Sequence, residues 1–154
     1  MPKCYQLIGV PGSGKTTWAE SQDWAHLCVH ISTDNWIEVF AKELGKTYSE
    51  IFNDFMPAAV KAMAAQVELA AASGRDVIWD QTSTTVASRK RKFDMLPDYE
   101  HIAVVFQTPS RIELKKRLDS RPGKTIPDSV LEGMLASFQI PTEEEGFSQV
   151  WYAH

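Results

Sequence analysis

Short apolar runs alternate along the chain with longer segments in which apolar residues recur every three or four positions. Four runs, at residues 4–10, 27–31, 76–80 and 101–106, are bounded by turn residues and predict buried β-strands. Helical spacing predicts helices that open near Lys15 and that cover residues 35–44, 49–73, 87–96, 110–118 and 127–138. Pro57 lies inside the alanine-rich stretch 49–73, so we expect a kink or two consecutive helices there.

Strands that alternate with helices predict an α/β fold, with a parallel β-sheet flanked by helices on both faces. In such sheets, ligands bind outside the carboxyl ends of the strands. Val10, Ile31 and Asp80 end three predicted strands. The loops that follow them should therefore share one rim.

One of these loops carries a phosphate-binding motif. The segment from Gly9 to Thr16 (G-V-P-G-S-G-K-T) matches G-x-x-x-x-G-K-[ST], with a predicted strand before it and a helix after it. Its glycines let the backbone N–H groups point at phosphate oxygens, and the helix adds its positive N-terminus. The motif predicts ATP or another nucleoside triphosphate with Mg²⁺, bound by Gly12, Ser13, Gly14, Lys15, Thr16 and Thr17. Lys15 would contact the β- and γ-phosphates, and the Thr16 hydroxyl would ligate the metal.

Two aspartates follow other strands at the same predicted rim. Asp34 comes after the second strand, where a carboxylate could take the proton of an acceptor hydroxyl, or could serve as an ordinary helix N-cap. Asp80 ends the third strand and could hold Mg²⁺ through water, or could organise the loop Gln81-Thr82-Ser83. The sequence leaves both pairs of alternatives open.

Arginines near a Pro-Gly break predict a lid at about residues 117–127. Arg117 and Arg121 are four apart and would share a helix face, and Arg121 enters the break before Pro122. Phosphoryl transfer depends on charge neutralisation, so a mobile lid arginine is an expected part of such a site. The alternative is a solvated helix end.

Length, composition and charge restrict the class of protein to which the chain could belong. The 154 residues fit one domain, 1–154, and no apolar run approaches the length that would span a bilayer. A net charge of −4 argues against non-specific binding of long nucleic acid, and the run Arg89–Lys92 is typical of a solvated helix face. Two cysteines favour buried thiols over a disulfide. We expect a cytoplasmic protein without a signal peptide.

The motifs together resemble the polynucleotide 5′-hydroxyl kinase family of the P-loop kinase superfamily, especially the phage kinases and the kinase domain of the animal DNA-repair enzyme. Residues 9–19 are similar to that family's P-loop and first helical turn, and residues 32–35 (S-T-D-N) to its general-base segment. Residues 80–83 (D-Q-T-S) with Ser88-Arg89 look like its substrate loop, and residues 116–127 like its lid. The resemblance covers about residues 5–138.

This resemblance implies transfer of the ATP γ-phosphate to a nucleic-acid hydroxyl, first of all the 5′-OH of DNA or RNA. Catalysis would fall to Lys15, Asp34 and Arg121, and Arg117 would help to hold the phosphates. Substrate contacts would come from Asp34, Trp36, Asp80, Thr82 and Arg89. Trp36, with Phe40 and Trp79, could stack a base or could pack in the core.

Two departures from the family pattern leave the acceptor open. The stretch Trp36-Ile37-Glu38 lacks the arginine that follows the base aspartate in the phage enzymes, and Ser83 stands in place of an asparagine. The alternatives are a kinase of 5-hydroxymethyluracil in phage DNA, a kinase of a small nucleoside or metabolite, and an ATP-binding switch that transfers nothing.

Overall fold

The sheet has five parallel strands in the order β2-β3-β1-β4-β5. A computed structural model of the protein describes residues 1–153. The strands are β1 (Lys3–Ile8), β2 (Val29–Ile31), β3 (Val77–Asp80), β4 (Glu100–Phe106) and β5 (Gln149–Ala153). The α/β prediction and four of the five strands are thereby confirmed.

Six α-helices connect and cover these strands over the described residues. They are α1 (Lys15–Ser21), α2 (Thr33–Leu44), α3 (Tyr48–Ser73), α4 (Val86–Met95), α5 (Arg111–Asp119) and α6 (Asp128–Ser137), with short 3-10 helices at Ala25–Leu27 and Glu143–Glu145. The helix α3 continues through Pro57, so the expectation of two consecutive helices is wrong. Pro57 and Asn53 are both exposed, which lets water satisfy the carbonyl of Asn53 that the proline leaves unpaired.

Helices cover both faces of the sheet. Alternate residues of its central strand point to opposite sides, so they pack against different helices. Cys4 of β1 packs with Val67 and Ala70 of α3 on one face. Tyr5 and Leu7 pack with Ala19 of α1 on the other. Each strand near the centre is therefore buried on both sides, as its nearly continuous apolar run indicated. Both cysteines are free and buried, as expected.

The carboxyl ends of the strands form one rim, as predicted. The P-loop after β1, residues 32–35 after β2, residues 80–82 at the end of β3 and residues 106–110 after β4 all line a single cleft of about 1970 Å³. This cleft contains most of the residues that the sequence singled out.

Two parts of the chain differ from expectation. The C-terminal segment, where the sequence predicted no strand, forms β5 alongside β4; Trp151 packs towards Tyr5, whereas Tyr152 is 60% exposed. The predicted lid, 117–127, is helical only in its first three residues, because α5 ends at Asp119 and an irregular connection follows. Among the described residues, no helix combines the length and apolarity needed to cross a membrane.

Candidate active site

The P-loop has the backbone conformation that a phosphate cradle requires. Gly12 and Gly14 have φ angles of 81° and 97°, which favour glycine because side chains with a Cβ rarely adopt them. The helix α1 begins directly at Lys15, so its N-terminal N–H groups face the loop. The buried Oγ of Ser13 has no hydrogen-bonding partner among the described residues, as expected for a hydroxyl that a phosphate oxygen would satisfy. These residues fit a nucleoside triphosphate.

The buried ammonium group of Lys15 lies inside the loop. Its Nζ donates to the carbonyl oxygens of Gly9 and Val10, each at 2.9 Å. Burial lowers the pKa of Lys15 to about 8, although Asp80 opposes the shift. An anionic phosphate in the cradle would offset the desolvation of this cation.

Asp80 and Thr16 meet across the cleft, as the shared rim predicts. Thr16 Oγ1 donates to Asp80 Oδ2 at 2.8 Å, and His30 Nε2 lies 3.1 Å from the same oxygen. Burial acts to raise the pKa of Asp80, but the hydrogen bonds from His30 and Thr16 outweigh it and keep the pKa below its ordinary value. The carboxylate therefore stays ionised at neutral pH.

A hydroxyl and a carboxylate in this arrangement are oxygen ligands that suit Mg²⁺. No cluster of three or more metal-ligating His, Cys, Asp or Glu side chains occurs in the part of the chain that the structure describes. Magnesium usually binds through one or two protein groups together with substrate phosphates, so the donor set fits that ion.

Asp34 faces the cleft from the first turn of α2. The helix N-cap is Ser32, whose Oγ accepts from the N–H of Asn35, so the alternative that Asp34 is the cap is wrong. Its Oδ1 accepts from the Tyr48 hydroxyl at 2.6 Å, and its Oδ2 accepts from Lys124 Nζ at 3.1 Å. A carboxylate offers about four acceptor positions, so these two contacts leave room for an acceptor hydroxyl.

The predicted lid contacts both walls of the cleft. Arg117 Nη1 donates to the carbonyl oxygen of Gly12 at 2.9 Å, while its Nε contacts Glu113. At the far end, the N–H of Ser49 donates to the carbonyl oxygen of Gly123 at 3.0 Å. Arg121 lies just beyond the end of α5, so the prediction that it shares a helix face with Arg117 is wrong. It lines the cleft together with Lys15.

Thr82 also lines the cleft, at the start of the loop after β3. Its carbonyl oxygen accepts from the N–H of Gly9 at 3.0 Å, which ties this loop to the P-loop. The next residue, Ser83, has a φ of 48° and is the only non-glycine residue of the described chain with positive φ. Asparagine tolerates this conformation better than serine, so the departure from the family pattern falls at a strained position.

Two predicted substrate residues lie outside the cleft. Trp36 is half-buried and packs on two core clusters, with its ring 6.3 Å from that of Phe40. Arg89 is fully buried, where it donates to both carboxylate oxygens of Glu145 and to the carbonyl oxygen of Ser83. The structure gives both residues a packing role in place of the predicted contact with substrate, and Trp79, 1% exposed, is likewise a core residue.

Three residues of the site escaped the sequence analysis: His30, Tyr48 and Lys124. His30 belongs to β2, one residue before the end of a strand that the rim rule had already marked. Lys124 falls within the predicted lid, but a role was predicted only for the two arginines of that segment. Tyr48 gives no local signal, because its contact with Asp34 depends on how α3 packs against α2.

This sheet order, this P-loop and this cleft define a P-loop nucleotide-binding domain of the kinase type. The chain belongs to the AAA domain family AAA_33, whose model matches residues 6–141. A likeness to solved structures agrees on the fold. A candidate kinase from Chloroflexus aurantiacus j-10-fl superposes with a TM-score of 0.70 at 18% identity, covering 99% of this chain and 84% of that one. Kti12 of Chaetomium thermophilum, solved with ADP-AlF3, gives 0.61 at 16% identity, over 97% and 88%.

The curated relatives that the chain matches are much longer than the chain itself. The chain is 29% identical over 149 residues to the bifunctional polynucleotide phosphatase/kinase of Schizosaccharomyces pombe, covering 94% of this chain and 31% of that protein. It is 25% identical over 155 residues to human heterogeneous nuclear ribonucleoprotein U-like protein 2, covering 95% and 21%. The chain thus spans less than a third of the length of these relatives.

Proposed function

We propose that the protein is an ATP-dependent kinase that transfers the γ-phosphate to a nucleic-acid hydroxyl, the 5′-OH of DNA or RNA. The observation that carries the transferase proposal is the position of Asp34. This carboxylate lines the same cleft as Lys15 and Thr16, does not cap its helix and is fixed by two hydrogen bonds. A protein that only bound or hydrolysed ATP would not need an acceptor base there.

The choice of acceptor rests on the relative from Schizosaccharomyces pombe, whose name includes a polynucleotide kinase activity. In the proposed reaction, Asp34 takes the proton of the acceptor hydroxyl as that oxygen bonds to the γ-phosphorus and the bond to the β-phosphate oxygen breaks. The bridging oxygen stays on the β-phosphate, and ADP is the leaving group. Lys15 and Arg121 neutralise the charge that is shared among the phosphate oxygens, and Mg²⁺ held by Thr16 and Asp80 would add to that neutralisation.

The test of the base is Asp34→Asn, which keeps the hydrogen bond from Tyr48 but cannot accept the proton. We expect transfer to fall by about 10²-fold or more, with ATP affinity changed less than threefold. Asp54→Asn is the matched control, because Asp54 is an exposed carboxylate on α3 that does not line the cleft. Transfer is measured with labelled ATP, and nucleotide binding by calorimetry. Transfer by Asp34→Asn at near wild-type rate would refute the assignment.

The test of the acceptor is a panel assayed in parallel. It contains 5′-hydroxyl DNA and RNA oligonucleotides, DNA with 5-hydroxymethyluracil, free nucleosides and simple sugars. Label on the oligonucleotide ends supports the proposal. Label only on the modified base or on a free small molecule would refute the 5′-hydroxyl assignment, and ATP hydrolysis without transfer to any acceptor would refute the transferase.

A further inference from the structure

One face of α3 presents large apolar side chains to the cleft beside Asp34. Tyr48, Phe52 and Met56 recur at four-residue intervals, so they lie on one side of the helix, and all three line the cleft. The rings of Tyr48 and Phe52 are 5.5 Å apart with an interplanar angle of 44°. We call these three residues the α3 stripe.

The stripe begins at the candidate base. Tyr48 is held in place because its hydroxyl donates to Asp34 at 2.6 Å, and Lys124 Nζ lies 4.4 Å from the centre of its ring. Tyr48, the first ring of the stripe, therefore lies directly beside the place that an acceptor hydroxyl would take at Asp34.

Phe52 differs from Tyr48 and Met56 in its packing and its exposure. Tyr48 and Met56 both pack against the buried cluster formed by α2 and α3, whereas Phe52 is not part of that cluster and is 36% exposed. A single exposed phenylalanine is ordinary on a protein surface. This one stands in the cleft, beside an aromatic ring that is hydrogen-bonded to the candidate base.

Polar and cationic side chains from α2 and the α2–α3 connection line the same part of the cleft. Asn35 offers hydrogen bonds near Asp34, and Lys42 and Lys46 add positive charge. The carboxylate of Glu38 also lines the cleft, where it lies 3.6 Å from Lys124 Nζ. A site with one aromatic wall, hydrogen-bonding groups and two cations is suited to a ligand with a planar ring, polar ring edges and an anionic backbone.

We propose that the α3 stripe is the subsite for the acceptor's terminal nucleobase, which stacks on Phe52 beside the ring of Tyr48. Lys42 and Lys46 attract the backbone phosphates that follow. This inference rests on the proposed function and goes beyond it, since it states which residues recognise the acceptor and by what chemistry. Every base has a π-face, so the subsite should tolerate all four bases.

The experiment combines a change in the protein with a change in the substrate. Wild type and Phe52→Ala are assayed with a 5′-hydroxyl oligonucleotide and with the same oligonucleotide carrying an abasic residue at its 5′ end. For wild type, we expect kcat/KM to fall roughly tenfold when the base is removed. Phe52→Ala should lose about as much on the complete oligonucleotide and show no further loss on the abasic one.

Two further variants keep the result interpretable. Phe52→Tyr retains a stacking ring and should restore the preference for the complete end. Val60→Ala removes an exposed apolar side chain from α3 outside the cleft and should behave like wild type. Nucleotide affinity and thermal unfolding of each variant report whether the fold is intact.

The outcomes separate this inference from the proposed function. Equal losses by Phe52→Ala on both oligonucleotides, or no effect of base removal on wild type, would overturn the subsite while leaving the kinase proposal standing. Absence of transfer to any oligonucleotide by wild type would overturn both. A base preference that disappears in Phe52→Ala and returns in Phe52→Tyr supports the subsite.

Discussion

The buried ion pair between Arg89 and Glu145 provides a sharp test of how this domain is held together. Arg89 has a fully buried side chain and Glu145 one that is 10% exposed, and two hydrogen bonds of 2.8 and 3.1 Å join them. The substitution Glu145→Ala would leave the guanidinium buried with only the carbonyl oxygen of Ser83, at 3.0 Å, as its partner. An uncompensated buried charge is among the most costly changes a fold can undergo.

Breaking a buried pair of this kind costs about 3–5 kcal/mol. We expect about 3 kcal/mol for Glu145→Ala, the lower end, because the Ser83 carbonyl still accepts from Arg89. For a domain of this size, a loss of about 1 kcal/mol lowers the Tm by roughly 2–4 °C, so the Tm should fall by roughly 6–12 °C. Urea unfolding and thermal unfolding, both followed by circular dichroism, measure the change.

Glu144→Ala is the matched control, because Glu144 is the exposed neighbour in the same short 3-10 helix. Its free energy of unfolding should stay within about 0.5 kcal/mol of wild type. If Glu145→Ala changed stability by less than about 1 kcal/mol and instead raised the KM for the acceptor, the structural role of Arg89 would be refuted. The substrate contact implied by the family resemblance would then be the better account.

Two further predictions concern stability. Ser83→Gly should stabilise the domain by about 1 kcal/mol in urea unfolding, because it relieves the positive φ and removes a buried hydroxyl that has no partner in the described chain; a loss of stability would contradict the strain argument. Burial lowers the pKa of Lys92 from 10.5 to about 8, a change of about 3 kcal/mol, so Lys92→Met should be more stable than wild type below pH 8. The stability advantage of Lys92→Met should shrink as the pH rises towards 10.5, where the folded and the unfolded wild type both lose the charge on Lys92. An advantage that did not change with pH would refute this prediction.

The features that the sequence predicted correctly are local or follow from sheet topology. The P-loop lies between a strand and a helix that its own flanking residues specify. The contact between Thr16 and Asp80 spans 64 residues, yet it was foreseeable because the carboxyl ends of the strands of a parallel sheet lie at one rim. The strand β5 was missed because it lies at the edge of the sheet and its residues are only partly buried or exposed, so no continuous apolar run marks it.

The interpretations that failed concern charges and rings whose environment is set by distant residues. The run Arg89–Lys92 suggested a solvated helix face, but only Lys90 and Arg91 are exposed, while Arg89 and Lys92 face inwards. What stabilises Arg89 in the interior is Glu145, 56 residues away. For Trp36 the sequence left stacking and core packing open, and the structure shows packing, whereas the aromatic side chain exposed in the cleft is Phe52. No periodicity distinguishes an aromatic residue that faces the core from one that faces a cleft.

The segment 117–127 connects the two halves of the site. Arg117 is bound to the backbone of the P-loop at Gly12, while Lys124 is bound to Asp34 and Gly123 to the first turn of α3. Because one short segment holds contacts to both walls, any displacement that opens the cleft must break bonds on the nucleotide side, on the side of Asp34, or on both. The sequence directed attention to the arginines of this segment as phosphate ligands. The structure adds that the same segment contacts both the P-loop backbone at Gly12 and the carboxylate of Asp34, and so links the candidate base to the nucleotide-binding loop.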